Sequence, residues 1–358
     1  MTYGNYPDFQ CVKKVLVVKF RHLGDVLLST PLFTNLKNYL PDAAIDAVLY
    51  KEGKQILEGH PAINKVYFYD RVVKKLPLLK KLKKEYALLK KLKKNSYDLV
   101  INLTEGDRGA IITKFCRPKY SVGMKQKKNF LGKNLYTHIV KECPTPRHQV
   151  ERELDVLRGI GIFPNRDERT LFFHSEAKVD VSFKDTIVFC PFSRWKFKCL
   201  SEEKMVKLLE YLISKEHKVL LCGGNDPAEV KIAHALQEKV SSKLVINLVG
   251  KLSLKEFGAV IEKSRGVICV DSLALHLSSV YKKNTLVFFG PTSEIKWGPW
   301  QNPNARVIVE NLSCRPCLLD GCGGSKMADC LFHLDLRKAF KVIDSWSKEK
   351  NLLLNTLI

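Results

Sequence analysis

The chain has 358 residues, enough for about two domains that each bury a core. Hydrophobic residues make up 45% and charged residues 27%, which sets aside a disordered, collagen-like or fibrous chain. Lysine and arginine number 60 against 37 aspartate and glutamate, and the surplus of +23 points to an anionic partner: nucleic acid, a membrane surface or a phosphorylated substrate. The opening residues MTYGNYPDFQCVKK lack the basic, apolar, small order of a signal peptide. No apolar run nears the roughly 18 residues that span a bilayer, so a cytoplasmic location is expected.

Short β-branched runs alternate with amphipathic segments of helix length, the pattern of a parallel sheet wound with helices. Strands are expected at Val15–Val18, Ile45–Tyr50 and Leu99–Leu103 in the first half. Between the last two, Lys74 to Lys94 holds ten lysines and one glutamate, with Leu79, Leu82, Tyr86 and Leu89 at near-helical spacing and Pro77 in the first turn; this predicts a basic amphipathic helix. The charged, weakly patterned stretch Arg166–Asp185 reads as a linker, giving domains of 1–178 and 179–358. Beyond it, Thr186–Cys190, Lys218–Cys222, Gly266–Val270 and Thr285–Phe289 read as strands. Ser201 ahead of Glu202 and Glu203, and Ser253 with Glu256, predict helix starts. Leu336–Ile358 has helical periodicity. Cys190, Cys222 and Cys269 fall inside apolar strands and behave as small buried hydrophobes in a reducing compartment.

Three polar stretches follow predicted strands, where a wound sheet binds its ligands. The first is KFRHLGDVLLSTP, with Arg21, His22, Gly24 and Asp25 in the turn. A carboxylate at a helix start is either a cap or a group suited to take a proton from a hydroxyl. No GxGxxG lies here, so the turn gives a nicotinamide dehydrogenase no support. The second is PFSRWKFK, where Ser193, Lys196 and Lys198 precede the Ser201 helix and could hold a phosphate or diphosphate. The third is VDSLALH, with Asp271 and His276 about a helix start, followed by FFGPTS. Each stretch alone could be capping and surface charge, but three polar sites at three strand ends are less readily explained that way.

Together KFRHLGDVLLSTP, PFSRWKFK, VDSLALH and FFGPT resemble the ADP-heptose:lipopolysaccharide heptosyltransferases of glycosyltransferase family nine. The likeness runs from about residue 13 to about residue 340, and YDLVINLT with the Phe197-Lys198-Cys199 neighbourhood is most similar to the heptosyltransferase III branch. The resemblance implies an α/β GT-B fold of two Rossmann-like domains facing a central cleft, the acceptor on the first and the nucleotide-sugar on the second. It implies inverting, metal-independent transfer of heptose from ADP-heptose to the inner core of lipopolysaccharide, with no cofactor. Asp25 then maps onto the general base, with Arg21, His22 and Gly24 on the acceptor side of the cleft. Lys198 maps onto a phosphate-contacting lysine, joined by Ser193 and Lys196. Asp271, Leu273, Ala274, His276 and Thr292 map onto the loops holding the donor, and Leu252 onto an apolar adenine contact. Either Asp226 or Glu229 would meet the ribose. Independently of the resemblance, inversion needs one base on the acceptor side and cations for the departing diphosphate, and the two halves supply these. No carboxylate pair of the kind a retaining hydrolase uses is evident.

The run Cys314-x2-Cys317-x4-Cys322-x7-Cys330 could bind zinc, although reduced structural cysteines are the preferred reading and no metal is assigned. The lysine helix and a pI near 9.5 allow a basic nucleic-acid-binding protein as the competing class. Without interleaved aromatic residues or a binding motif, an anionic inner-membrane surface is favoured over nucleic acid, with the protein peripheral at the inner face of that membrane. A family-nine transferase with a different nucleotide-sugar is the other alternative.

Overall fold

The structure is a computed structural model that describes residues 6–125, 135–175, 183 and 186–355, the last nine by backbone alone. The chain divides into two compact units, Met1–His174 and Ser175–Ile358. In chain order the first holds β1 (Lys14–Lys19), α1 (Leu23–Leu28), α2 (Thr30–Tyr39), β2 (Ala44–Tyr50), α3 (Lys54–Leu57), β3 (Lys65–Tyr69), α4 (Leu78–Lys93), β4 (Leu99–Asn102), α5 (Asp107–Cys116), β5 (Tyr120–Met124), β6 (His138–Val140) and α6 (Gln149–Arg158). The second holds β7 (Ile187–Cys190), α7 (Glu202–Ser214), β8 (Val219–Leu221), α8 (Pro227–Val240), β9 (Val245–Asn247), α9 (Leu254–Lys263), β10 (Gly266–Val270), α10 (Leu273–Val280), β11 (Asn284–Phe289), α11 (Glu294–Trp297), β12 (Ala305–Val309), α12 (Asp329–Phe332) and α13 (Arg337–Asn355).

Each unit builds one six-stranded sheet with parallel pairings, ordered β3-β2-β1-β4-β5-β6 in the first and β12-β11-β10-β7-β8-β9 in the second. Numbered within its own half, the second sheet repeats the order of the first. In such a sheet the strand order reverses between the first and fourth strands, and ligands bind beyond the carboxyl ends there. In this chain those places are β1 beside β4 and β7 beside β10. Every strand expected from sequence is present, and five more, β3, β5, β6, β9 and β12, lie toward or at the sheet edges. The central strands are apolar runs buried on both faces; β3 exposes Phe68, and β9 and β12 mix buried with exposed positions, so they lack that signature. The core of the second sheet includes Phe189, Phe288, Leu208 and Leu212, and that of the first includes Leu16, Val48, Val100 and Tyr69.

The predicted helix starts are present. Ser201 Oγ accepts from Lys204 N at 3.4 Å, and Ser253 and Glu256 form a reciprocal capping box at 3.3 and 2.7 Å. Cys190, Cys222 and Cys269 are buried thiols. The lysine-rich segment is helical over α4, with Pro77 as its N-cap, but only part of the leucine stripe turns inward. Leu89 is half-buried beside Leu88 and buried Leu92, whereas Leu79, Leu82 and Tyr86 are exposed. Of the closing segment, 356–358 lie outside the described residues, as does most of the stretch 176–185 within the expected linker.

His60, just beyond α3, is buried between aromatic rings, with Phe172 at 4.6 Å and Phe33 at 5.9 Å between centroids, and its Nδ1 accepts from Ala62 N at 3.2 Å. Burial lowers its pKa from 6.5 to about 4, against a smaller opposing contribution from the Thr30 backbone. The unfolded chain therefore takes a proton near pH 6.5 that the folded chain refuses until about pH 4. Stability from this group is full above 6.5 and is lost as pH falls across that window, by about 1.4 kcal/mol per pH unit at most. Calorimetric melting from pH 7.5 to 4.5 should show a shallower decline for His60→Gln than for the wild type. Equal slopes would remove His60 as the source.

Candidate functional site

In the first unit the ends of β1 and β4 are tied together where the strand order reverses. Phe20 N donates to Thr104 Oγ1 at 2.7 Å, and Thr104 N donates to Asn102 Oδ1 at 2.9 Å. The chain leaving β1 enters α1 through the turn that carries Arg21, His22, Gly24 and Asp25. Asp25 is buried, and its Oδ2 accepts from His22 N at 3.3 Å, while Arg21 Nε lies 3.5 Å from Oδ1. The carboxylate is thus a cap, and it is also fixed at the carboxyl end of the sheet; the two readings of this residue are compatible. Arg21 and Gly24 are partly exposed and His22 is exposed.

Beneath this turn lies an ion pair that sequence reasoning missed. Lys19, the last residue of β1, donates to Glu153 Oε1 of α6; their side chains are 3% and 4% exposed, and Gln149 Nε2 also donates to Oε1 at 3.0 Å. Glu153 Oε2 and Gln149 Oε1 have no protein hydrogen-bond partner. Burial pushes the Glu153 carboxyl upward, Lys19 and Gln149 oppose it, and the neighbouring Asp25 charge adds to the rise. The signals were a lysine closing the apolar run Val15–Val18 and a glutamate sharing a helix face with Val150, Leu154 and Leu157.

In the second unit a polar cluster lies at the reversal point. Lys198, from the turn after β7, places Nζ 2.7 Å from Asp271 Oδ2 at the end of β10, and Thr292 Oγ1 donates to the same oxygen at 2.7 Å. Asp271 is 5% exposed at its side chain and Lys198 16%, so the pair is shielded on most sides but reachable. Ser193 belongs to the same turn: its backbone N meets Cys199 Sγ at 3.2 Å and its Oγ accepts from Trp195 N at 3.3 Å. Lys196 is exposed. Directly after Asp271, α10 begins at Leu273 without a side-chain cap on its first turn; Leu273 is partly exposed, Ala274 and His276 buried.

The two carboxylates considered for a ribose make different contacts. Asp226 caps α8, accepting from Ala228 N at 2.9 Å, whereas Glu229 folds back to accept from Gly224 N at 2.8 Å. Burial raises the Glu229 pKa, and the Gly224 bond offsets part of the rise. Glu229 lies in the first turn of α8, and its carboxylate reaches back to the loop that follows β8. Leu252, ahead of α9, is half-buried.

The cysteine-rich segment is anchored by a residue that sequence reasoning passed over. Arg315, 6% exposed at its side chain, donates to the Gly290 carbonyl at 2.7 Å and pairs with Glu294 at 3.0 Å, and Leu318 N donates to Pro291 O at 2.9 Å. A Cβ on Gly290 would sit 2.6 Å from Leu331, so glycine lets this segment lie on the turn that carries Thr292. All four cysteines are free thiols, Cys330 buried and Cys314 and Cys322 exposed. Among the described residues no group of three or more cysteine, histidine or acidic side chains could hold a metal ion.

Residues 85–327 match the profile of glycosyltransferase family 9 (heptosyltransferase), a span that holds the whole second-unit cluster and follows the Asp25 turn. Lipopolysaccharide heptosyltransferase 3 of Escherichia coli (strain K12) is 31% identical over 299 residues, 78% of this chain and 83% of its own. The solved structure of E. coli ADP-heptose LPS heptosyltransferase II aligns with a TM-score of 0.75 at 17% identity, over 94% of this chain and 99% of that one. E. coli heptosyltransferase WaaC with ADP aligns at 0.69 and 23% identity, over 82% and 92%. At these identities the structures establish the fold, which is the GT-B fold the motifs led us to expect.

Proposed function

The chain belongs to glycosyltransferase family 9, and from that premise we propose that it is an inverting, metal-independent heptosyltransferase carrying heptose from ADP-heptose to the inner core of lipopolysaccharide. The observation that carries the reading is the Lys198, Asp271 and Thr292 cluster at the strand reversal of the second sheet. An ammonium has three donors, and Asp271 engages one, which leaves Lys198 able to bind diphosphate oxygens. The uncapped first turn of α10 supplies backbone N–H groups to the same anion. These groups favour the transition state, in which charge builds on the departing ADP. Ser193, Lys196, Leu273, Ala274 and His276 complete the donor site in this reading, Leu252 meets the adenine and Glu229 the ribose.

On the acceptor side Asp25 takes the proton of the attacking hydroxyl, with Arg21, His22 and Gly24 lining its surroundings. A single displacement with one base inverts the sugar centre, and Glu153, held in burial by Lys19, is not placed to serve as a second nucleophile. An acceptor built on a lipid brings the protein to the inner face of the inner membrane as a peripheral enzyme. Among the described residues no helix is long and apolar enough to cross a membrane.

A thermal-shift comparison of ADP, UDP, GDP and ADP-heptose tests the donor assignment. Ligand at about 100 times its Kd should add roughly 2.7 kcal/mol of stability for the adenine species and little for the others. Equal shifts with UDP or GDP would assign a different nucleotide-sugar. Lys198→Ala should weaken ADP binding by about 1.5–3 kcal/mol, the scale of a hydrogen bond to a charged group, measured by titration calorimetry. Unchanged affinity would move the diphosphate elsewhere.

A further inference from the structure

α4 carries none of the residues assigned above to sugar transfer. Its inward face is Glu85, Leu88, Leu89 and Leu92; Glu85 accepts from Tyr69 Oη at 2.9 Å and pairs with Arg108 of α5 at 3.2 Å. At about 100° per residue, Leu82, Tyr86 and Leu79 fall next to that face in one line along the helix. They are 51%, 58% and 81% exposed. Beyond them, on the side away from the sheet, come Lys83, Lys90 and Lys94, all exposed. Tyr86 meets Phe115 of α5 edge-on at 6.1 Å and otherwise faces outward. A helix held only for solubility has no use for a line of bulky apolar side chains on its water side, and this one borders a row of ammonium groups.

We propose that this flank of α4 docks on an anionic lipid bilayer. Leu79, Leu82 and Tyr86 seat at the boundary between headgroups and acyl chains, and the adjoining lysines meet lipid phosphates. Charge complementarity selects this occupant: from Lys74 to Lys94 there are ten lysines and one glutamate, and Arg108 pairs with that glutamate. Tyrosine suits such a boundary, with an apolar ring and a polar tip. A nucleic acid would use the lysines but would leave the leucines in water. The proposal takes the identity of the membrane from the heptosyltransferase reading; the docking surface itself rests on exposure and charge.

The test is co-sedimentation of the full chain with phosphatidylethanolamine vesicles, with and without phosphatidylglycerol, at low and high salt. The wild type should bind the phosphatidylglycerol vesicles and be released by salt. Lys83→Gln/Lys90→Gln/Lys94→Gln should weaken binding at low salt by at least about tenfold, and Leu79→Ser/Leu82→Ser/Tyr86→Ser by a similar factor. Wild-type binding by the serine variant would overturn insertion, and tighter binding to RNA than to anionic vesicles at equal salt would overturn the choice of partner. Leu79→Ser alone, at the most exposed position, should still show a measurable loss if the triple variant folds poorly. Stabilisation by ADP should be unchanged in every variant, so a failed docking surface and a failed donor assignment register separately.

Discussion

Asp25→Asn is expected to lower heptose transfer by at least about 10²-fold, the scale of losing a general base. Asparagine is nearly isosteric and its side-chain oxygen can still accept from His22 N, the bond that fixes the first turn of α1. The turn should therefore survive, and what disappears is the capacity to take the acceptor proton. Because Asp25 lies in the first unit and the Lys198 cluster in the second, ADP affinity should be unchanged. Single-turnover transfer to a lipopolysaccharide core acceptor, with ADP titration alongside, checks both halves of the expectation. Near-normal turnover would assign the proton to another group, and a parallel loss of ADP binding would mean that the substitution damages more than the base.

The second large effect is on stability. Glu153→Ala strands the Lys19 ammonium at the end of β1 without its carboxylate, and breaking a buried pair by removing one partner typically costs about 3–5 kcal/mol. Replacing both members, as Lys19→Met with Glu153→Leu, removes the stranded charge and should recover most of that loss. Urea unfolding followed by circular dichroism reads the difference. A double variant as unstable as the single one would mean that the loss comes from packing around α6 and not from the unpaired lysine.

The central strands were readable because a buried parallel strand is an unbroken apolar run, as in Val15–Val18 and Gly266–Val270. β3, β6, β9 and β12 were not, since an edge strand keeps exposed positions such as Phe68 and Ile246 and so lacks the unbroken apolar run. Asp25, Lys198 and Asp271 stand at strand ends, where sequence order alone locates them. Glu153 and Arg315 reach their partners across 134 and 25 residues, and nothing local announces such bonds. The α4 leucines show the opposite difficulty. Their helical spacing was plain, but which of them face the sheet is decided by the packing of Leu92 and by Glu85 reaching Tyr69 and Arg108.

The division into two units also governs which spectroscopic signals report on which half. All four tryptophans, Trp195, Trp297, Trp300 and Trp346, belong to the second unit, so intrinsic emission follows the sheet that carries Lys198 and Asp271. A denaturant curve recorded by fluorescence would be blind to the unit changed by Asp25→Asn or Glu153→Ala and could return a wild-type midpoint for a damaged protein. With two sheets and two cores in one chain, coincidence of fluorescence and far-ultraviolet dichroism is a test of coupling between the halves before it is a measure of stability. Tyr86→Trp would give the first unit an emitter of its own.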